Sequence, residues 1–225
     1  KVEEQARAFG AEIIYDEVTS ITRSGEVFVV KTSSNVFYAE AVILAVGKKP
    51  RKMKVPGEEE LKSRGISYCT ICDAPLFKNK VVALTGIGPQ AEEGVLILKD
   101  VAKRVYWIYP SRNPGVKKET LNLILEKNNV ILKPNSKIVR VLGDGRVEGI
   151  IVRNLVDGSE ETLTVSGVFV ELGYIADTGF LKGLVKLNRK GEIVVDKYGR
   201  TSHPGIFAAG DVTDIRFKQA VISAG

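Results

Sequence analysis

The sequence of 225 residues has few of the residues that mark secreted, membrane-spanning or zinc-binding proteins. Two cysteines argue against a secreted domain that several disulfides hold together. No apolar run approaches the roughly 20 residues that a membrane-spanning helix needs, and no secretory signal opens the chain. We therefore expect a soluble, cytoplasmic protein, and its 44% hydrophobic residues suffice for one or two cores.

Acidic residues are in the minority, which gives a formal net charge of +6 and raises the question of nucleic acid binding. The one dense basic run, at 48–54, contains no aromatic residue that could stack on bases. We therefore expect a solvated connection there, and no nucleic acid or membrane partner. The basic surface is expected to attract an acidic protein instead.

The two cysteines form a Cys-x-x-Cys motif, Cys69 and Cys72, which Asp73 follows at once. Sulfurs at this spacing can close a small disulfide ring and cycle between dithiol and disulfide. A structural zinc site needs four ligands, whereas the two cysteines and His203 supply three. A pair of buried apolar cysteines is disfavoured by the polar neighbours Thr70 and Asp73. The motif therefore favours thiol redox chemistry, and we expect no metal.

A glycine-rich turn follows an apolar run in the middle of the chain. Residues 81–85 are predicted to form a buried strand, and Gly86, Gly88 and Ala91 then form a Gly-x-Gly-x-x-Ala turn before a helix. Such glycines let the backbone approach a pyrophosphate, and the helix N-terminus offers free N–H groups to it. A tight turn without a ligand gives the same pattern. A second strand at 104–109 favours nucleotide binding.

Short strands precede and follow this turn. The sequence predicts a helix over 1–9, a strand at 41–45 that is buried on both faces, and a charged linker at 48–60. Two Asp-Gly turns connect three hairpin strands between 137 and 165, and a buried strand is predicted over 167–173. An antiparallel meander is predicted in the first part of the chain, with strands at 12–15, 17–22, 27–32 and 36–38.

Several of these motifs resemble the low-molecular-weight thioredoxin reductase family in their order and approximate spacing. They are residues 67–73 with Cys-x-x-Cys-Asp, the Gly-x-Gly-x-x-Ala turn, and Thr-Ser-His-Pro-Gly-Ile-Phe-Ala-Ala-Gly-Asp at 201–211. The apolar strand that ends at Gly47 and the Pro-Gly-Glu sequence at 56–58 are also similar to this family. The resemblance covers the chain from end to end.

This resemblance implies an α/β fold with two Rossmann-like, three-layer nucleotide-binding domains and antiparallel β meanders. The family's FAD domain is split in sequence around an inserted pyridine-nucleotide domain. We therefore expect FAD-binding parts at 1–60 and 172–225 and the insert, with the Cys-x-x-Cys pair, at 61–171. The family's glycine-rich FAD fingerprint is expected before residue 1 and the end of the last helix after Gly225, and without the fingerprint we expect FAD to bind poorly.

The resemblance also implies a role for each residue of the redox motif. Cys72 faces the flavin and receives electrons, whereas Cys69 attacks the partner disulfide. Asp73 protonates the leaving thiolate as a general acid, and helix capping is its alternative role. The implied cofactor-binding residues are Gly47, Gly210, Asp211, Lys218, Gln219 and Ala220 of the FAD domain, and Gly86, Gly88, Ala91 and Arg112 of the insert.

The predicted pyridine-nucleotide site departs from the family pattern. Where the family has His-Arg-Arg-x-x-x-Arg, residues 109–115 read Tyr-Pro-Ser-Arg-Asn-Pro-Gly. Two arginines for the 2′-phosphate of NADPH are absent, and each lost charge-assisted hydrogen bond costs about 1.5–3 kcal/mol. No acidic residue ends the preceding strand to bind the ribose of NADH. NADPH, NADH and a donor of another kind therefore remain open.

Two functions follow from this resemblance. The first is an enzyme of the thioredoxin-disulfide reductase type, in which electrons pass from NAD(P)H through FAD to Cys69 and Cys72, and then to thioredoxin or a glutaredoxin-like protein. The alternative is a thiol-redox switch or binding protein of the same fold that has lost efficient NADPH use. Members of the family are commonly homodimers, so the resemblance implies a homodimer here.

Overall fold

A computed structural model of the chain describes residues 1–181, 183–216 and 218. The α-helices are α1 (Val2–Ala8), α2 (Thr70–Asp73), α3 (Pro89–Val101) and α4 (Lys118–Leu125), and two 3-10 helices cover Ala74–Phe77 and Gly179–Leu181. The strands are β1 (Val18–Ser24), β2 (Val27–Thr32), β3 (Val36–Ala39), β4 (Val42–Leu44), β5 (Lys49–Pro50), β6 (Ile66–Ser67), β7 (Val81–Gly86), β8 (Arg104–Ile108), β9 (Val130–Lys133), β10 (Ser136–Leu142), β11 (Gly149–Asn154), β12 (Glu160–Thr164), β13 (Gly167–Glu171), β14 (Tyr174–Ile175) and β15 (Ile206–Ala208).

The chain divides into two compact units, which we call the split unit and the inserted unit. The split unit contains Lys1–Lys49 and Ile175–Gly225, and the inserted unit contains Pro50–Tyr174. Two short strands, β5 and β14, pair with each other where the chain leaves and re-enters the split unit. The observed divisions come after Lys49 and after Tyr174, so residues 50–60 and 172–174, which were predicted to belong to the FAD-binding parts, lie in the inserted unit. The assignment of one cofactor to each unit stays a prediction.

Residues 50–60 belong to the inserted unit because a buried carboxylate ties them to it. Glu58 is 1% exposed and accepts hydrogen bonds from the Met53 N–H at 2.8 Å and the Lys54 N–H at 2.6 Å. The Tyr68 hydroxyl donates a third bond to this carboxylate, at 2.8 Å. Buried polar groups are stable when their hydrogen bonds are made. The predicted linker is therefore an ordered part of the inserted unit.

The inserted unit has three layers around a parallel sheet with the strand order β6-β13-β7-β8-β9. Successive side chains of a strand point to opposite faces. On β7, Val82 and Leu84 pack in one cluster with Val95 of α3, whereas Ala83 packs in another with Ile150 of β11. Helices α3 and α4 thus cover one face, and the antiparallel sheet β10-β11-β12 covers the other. The predicted α/β class is confirmed.

The split unit contains a three-stranded antiparallel sheet, β1-β2-β3, and a parallel pair of β4 with β15. The β4 and β15 strands come from the two separate segments, so their pairing joins segments that are distant in sequence. The core between these elements is apolar; its buried members are Ile21, Phe28, Leu44, Leu181, Val185, Ile193, Ile206, Ala208 and Val212.

Two predicted strands of the split unit differ from the structure. Residues 12–15, all of them described, form no strand, although Ile13, Ile14 and Tyr15 have strand-forming side chains. A strand requires a partner for its backbone groups as well as suitable residues. The run at 41–45 forms the short strand β4, and the prediction that it is buried on both faces is wrong, since Ile43 is 72% exposed. Only the face of β4 that carries Leu44 packs against the core.

No helix among residues 1–181, 183–216 and 218 is both long and apolar enough to cross a membrane.

Candidate functional site

The redox motif lies at the start of helix α2 in the inserted unit. Cys69 and Cys72 are joined by a disulfide, as the spacing predicted. Cys69 is the N-cap of the helix, and its Sγ accepts a hydrogen bond from the Cys72 N–H at 3.3 Å. Cys72 is exposed and Cys69 is half-buried. The ring is therefore open to solvent on the Cys72 side.

Asp73 lies beside this disulfide and is held there by Ser67. The Ser67 hydroxyl donates to the Asp73 carboxylate at 2.7 Å and accepts from the Cys69 N–H at 3.1 Å. Asp73 makes no side-chain capping bond to the 3-10 helix that follows it. The capping alternative is therefore excluded in this state. Sequence reasoning missed Ser67, whose only signal was its place in the motif.

A cleft of about 450 Å³ opens next to Cys69 and Asp73. Both apolar and basic side chains line this cleft, among them Leu76, Tyr174, Lys62 and Arg64. Leu76 is 68% exposed, and Ile71 on the redox helix is 64% exposed. Exposed apolar side chains with a charged rim are typical of protein contact surfaces. The cleft offers space beside the disulfide for a segment of another protein.

A buried carboxylate that the sequence analysis missed lies at the other side of the redox helix. Glu171 ends β13 and is 8% exposed. It accepts hydrogen bonds from the Thr70 hydroxyl at 2.5 Å and from the Thr70 N–H at 3.2 Å. Burial raises the pKa of Glu171, and the bonds from Thr70 oppose that rise. A single charged residue at the end of an apolar strand was the available signal.

The glycine-rich turn joins β7 to α3 as predicted. Gly86 ends the strand with a φ of 145°, and a Cβ there would overlap the Glu171 carbonyl, so that glycine is required for packing. Gly88 is the N-cap of α3 with a φ of 84°, and the space before it is open. Ala91, in the first turn of α3, is fully buried. The open backbone at Gly88 fits the close approach of a phosphate group.

The loop after β8 is less suited to an anionic ligand. Tyr109 stands where the family has histidine, and it is 1% exposed with its ring against Trp107 at a centroid distance of 5.4 Å. Arg112 is exposed, as are Lys117 and Lys118. The predicted Arg112 and the two lysines near it are therefore at the surface, and their exposure does not select between NADPH and NADH.

The split unit brings four of the predicted FAD-binding residues into one cleft of about 430 Å³. Gly47 follows β4 and Gly210 follows β15, so the parallel pairing of these strands places both glycines at the same edge. The full lining is Ala45, Gly47, Lys48, Ala209, Gly210, Asp211 and Lys218. A side chain at Gly47 would enter open space. The small residues and the open space at Gly47 leave room for a nucleotide group next to two lysines and the carboxylate of Asp211.

Lys48, which sequence reasoning did not select, is held at this cleft by a buried carboxylate. Its Nζ donates to Glu192 at 2.5 Å, and Lys218 lies 3.5 Å from the same carboxylate. Although burial raises it, the hydrogen bonds from Lys48 and Asn188 lower the pKa of Glu192 to about 2. Glu192 therefore fixes two cations at the cleft. The predicted residues Gln219 and Ala220 lie outside the described residues.

No group of three or more His, Cys, Asp and Glu side chains in the described part of the chain could hold a metal ion. Both cysteine sulfurs are committed to the disulfide in this state.

A family model described as pyridine nucleotide-disulphide oxidoreductase matches residues 3–225. Among curated relatives, a subunit of the alkyl hydroperoxide reductase of Staphylococcus aureus strain MRSA252 is 37% identical over 208 residues, which cover 92% of this chain and 41% of the relative. Thioredoxin reductase of Treponema pallidum is 36% identical over 220 residues, which cover 98% of this chain and 71% of the relative. The chain thus spans less than half of the first relative and most of the second.

Two solved thioredoxin reductases are similar in structure. That of Lactococcus lactis has a TM-score of 0.75 and 28% identity, with 99% of this chain and 74% of that chain covered. That of T. acidophilum has a TM-score of 0.72 and 32% identity, with 99% and 73% covered. This likeness supports the α/β fold expected from the sequence.

Proposed function

Because the chain belongs to the pyridine nucleotide-disulphide oxidoreductases, within the low-molecular-weight thioredoxin reductase family, we propose that the whole protein reduces a disulfide of another protein. The observation that carries this proposal is the Cys69–Cys72 disulfide at an exposed helix start, with Asp73 and Ser67 beside it. A disulfide in this setting can be reduced and re-formed without unfolding a core. A structural disulfide that closes a loop of this size would add little stability.

The chain's own residues supply the steps at sulfur. After reduction, the Cys69 thiolate attacks one sulfur of the partner disulfide, which forms a mixed disulfide and releases a partner thiolate. Asp73, when protonated, gives its proton to a leaving thiolate. Cys72 then attacks the Cys69 sulfur, which releases the second partner thiol and restores the Cys69–Cys72 disulfide. Two electrons pass to the partner in each cycle.

FAD would carry electron pairs to the disulfide, and the cleft at Gly47, Gly210 and Asp211 is where we propose that it binds. Lys48 and Lys218 would supply positive charge to its phosphates, and their contacts with Glu192 would hold them in place. The turn at Gly86 and Gly88 would hold the pyridine nucleotide. Arg112 would contribute the nearest guanidinium of the following loop, so we expect weaker selection for NADPH than two further arginines would give.

The proposed partner is thioredoxin or a glutaredoxin-like protein, which would contact the cleft beside Cys69. The Arg64 and Lys62 side chains there would attract an acidic partner surface, and Leu76 would provide an apolar contact. We also propose a homodimer in the cytoplasm, by analogy with the family. The mass of the full-length protein by light scattering tests the oligomeric state.

Steady-state kinetics of the full-length protein with added FAD test the enzyme proposal. Thioredoxin disulfide is the acceptor, and NADPH, NADH and no nucleotide are compared as donors. We expect turnover with at least one nicotinamide, and its loss in Cys72→Ser and Cys69→Ser. Asp73→Asn should reduce turnover about a hundredfold, while Asp144→Asn, an exposed turn variant, should not. An alkyl hydroperoxide assay tests the function that the S. aureus relative's name describes.

A thiol-redox switch without efficient nucleotide turnover is the second candidate. Exposed Arg112 and buried Tyr109 at the loop after β8 favour it, because the loop lacks the two further arginines of the family. A switch would cycle reversibly between disulfide and dithiol but would show no turnover with any donor. Reversible cycling together with no turnover would contradict the enzyme proposal and support the switch.

A further inference from the structure

Glu171 and Thr70 join the redox helix to the central parallel sheet. Glu171 ends β13, the strand that lies between β6 and β7, and Thr70 is the residue between the sulfur-bearing Cys69 and Ile71. One carboxylate oxygen of Glu171 accepts both the hydroxyl and the N–H of Thr70. Thr70 is 3% exposed. The first residue of the redox helix is therefore fixed by a buried acid that comes from another part of the chain.

A cavity lies beside Thr70 and Glu171, and a glycine of α3 leaves room for the Thr70 side chain. A small cavity of about 130 Å³ is lined by Cys69, Thr70, Ile71, Gln90, Glu93, Gly94, Glu171 and Tyr174. A Cβ at Gly94 would lie 3.1 Å from the Thr70 hydroxyl and 2.8 Å from Leu84, so the glycine of α3 makes room for Thr70. Glu171 and the half-buried Cys69 thus line the same small cavity.

Each element packed around Glu171 contributes titratable or charged groups that face it. Helix α3 contributes Glu93, whose charge acts to raise the pKa of Glu171. The segment after β13 contributes Tyr174, whose hydroxyl donates to the Tyr68 carbonyl at 3.1 Å. Cys69, the N-cap of α2, contributes its sulfur, which carries no charge while it is joined to Cys72. Among the described residues, no cation lines this cavity.

Charge in this cavity affects the two redox states differently. The disulfide is neutral, whereas the dithiol state includes thiolates. Nearby negative charge disfavours a thiolate, and the low polarizability of a buried site makes the effect larger than in water. Couples whose reduced form is stabilised are stronger oxidants. A carboxylate that destabilises the reduced form should have the opposite effect.

We propose that Glu171 is a positioning residue that fixes the redox helix through Thr70, and that its negative charge makes the Cys69–Cys72 couple a stronger reductant. The inference rests on the redox function proposed for this pair. Its test needs neither flavin nor a protein partner, so the two can fail separately.

Equilibration with dithiothreitol measures the effect directly. Dithiothreitol gives two electrons and two protons as it closes to its cyclic disulfide, and the protein S–S bond breaks to give two thiols. At pH 8, Glu171→Gln should increase the equilibrium constant for reduction about tenfold, which equals about 30 mV for a two-electron couple. Glutamine keeps the shape and an acceptor oxygen for Thr70 while it removes the charge. Thiol labelling followed by mass spectrometry gives the reduced fraction.

A pH series distinguishes charge from shape. The difference between wild type and Glu171→Gln should narrow as the pH falls, because the thiolates of the reduced state and Glu171 both take up protons and the repulsion between them is lost. The raised pKa of Glu171 places its own protonation above the range of an ordinary glutamate. A purely structural effect of the substitution would give the same difference at every pH.

Matched variants control for surface charge and for folding. Glu119→Gln removes one negative charge from the exposed first turn of α4 and should leave the equilibrium unchanged. Thr70→Val removes one donor to the carboxylate, which then binds a proton more readily and carries less charge, so the couple should shift in the same direction by a smaller factor. Thr70→Ser keeps the hydroxyl and should match wild type. If Glu171→Gln does not fold, the comparison of Thr70→Val with Thr70→Ser provides the test.

A folded Glu171→Gln variant with the wild-type equilibrium constant across the pH series overturns the inference and leaves the proposed function intact. If Glu171→Gln does not fold, equal equilibrium constants for reduction in Thr70→Val and Thr70→Ser likewise overturn the inference and leave the proposed function intact. A wild-type disulfide that cannot be reduced and re-formed overturns both.

Discussion

The inserted unit is one continuous segment, whereas the split unit joins two segments that lie on either side of it in sequence. The inserted unit has two apolar clusters, one on each face of a five-stranded parallel sheet. The split unit has one described cluster, and its parallel β4 and β15 pair across the two segments. The redox disulfide lies in the unit whose core comes from a single stretch of chain.

This difference indicates how each site is stabilised. The redox helix is joined to a sheet whose strands all belong to the single segment Pro50–Tyr174, so its geometry does not require the split unit's core. The cleft at Gly47 and Gly210 depends on the pairing of β4 with β15, two strands that the inserted unit separates in sequence. We therefore expect the two units to lose stability separately when either core is damaged.

Paired phenylalanine truncations should give the largest effect. Phe169 of the inserted unit and Phe28 of the split unit are 0% and 1% exposed. Each Phe→Ala change should destabilise its own unit by about 3–5 kcal/mol through lost burial and a cavity. Native-state hydrogen exchange with mass spectrometry should show the loss of protection within one unit in each variant. Equal loss in both units, from either variant, would show instead that the chain unfolds as one cooperative body.

A pair of glycine variants tests the turn between β7 and α3. Gly86→Ala should cost more than Gly88→Ala, because its Cβ overlaps the Glu171 carbonyl as well as straining the backbone. Gly88→Ala meets open space and should show the cost of its backbone conformation alone, about 1–3 kcal/mol. Urea unfolding measures both. If Gly86→Ala is as stable as Gly88→Ala, the strand contact at Gly86 is not as tight as the structure indicates.

Acid should affect the split unit through Glu192. Its pKa is lowered to about 2 from an ordinary value of 4.5, so its ionised form stabilises the fold above pH 4.5. That contribution should be lost as the pH falls from about 4.5 to about 2. Glu192→Gln should lower the free energy of unfolding at neutral pH by about 1.5–3 kcal/mol. Between pH 4.5 and 2 the variant should lose less stability than wild type. Hydrogen exchange of peptides from the split unit, measured across this pH range, checks both expectations.

The matched control for this acid effect is Glu26→Gln, at an exposed turn of the same unit. It should leave the pH dependence at its wild-type form. An identical acid response in Glu192→Gln and wild type would remove Glu192 as the cause.

The smallest effect is expected at the start of the inserted unit. Tyr68→Phe removes one of three donors to the Glu58 carboxylate, which keeps the N–H groups of Met53 and Lys54. We expect a loss of about 1 kcal/mol and faster amide exchange of residues 50–60, with little change elsewhere. Tyr198→Phe, at an exposed position of the split unit, is the control. Unchanged exchange of 50–60 in Tyr68→Phe would mean that the hydroxyl does not hold this segment.

Local patterns in the sequence predicted much of the inserted unit. The strand at 81–85, the turn at Gly86 and the helix after it were found because apolar periodicity and glycine positions act over a few residues. In the split unit, the strand β2 was predicted with its observed limits, Val27–Thr32. The disulfide was predicted because its two cysteines are three positions apart.

Long-range contacts explain what the sequence could not supply. Glu171 and Thr70 are 101 positions apart, and Lys48 and Glu192 are 144 positions apart, so no local pattern indicates either pair. Residues 12–15 have the side chains of a strand but no strand partner in the described fold. Ile43 is apolar and yet exposed. These cases depend on which segments meet, and that information is spread over the whole chain.

The pairing of β5 with β14 places the first and last residues of Pro50–Tyr174 side by side, and the Arg51 N–H donates to the Gly173 carbonyl at 2.8 Å. A module whose ends meet can be excised, expressed alone or grafted into a loop of an unrelated host with a short tether. The same closeness permits circular permutation, with new termini placed at the Asp144-Gly145 turn.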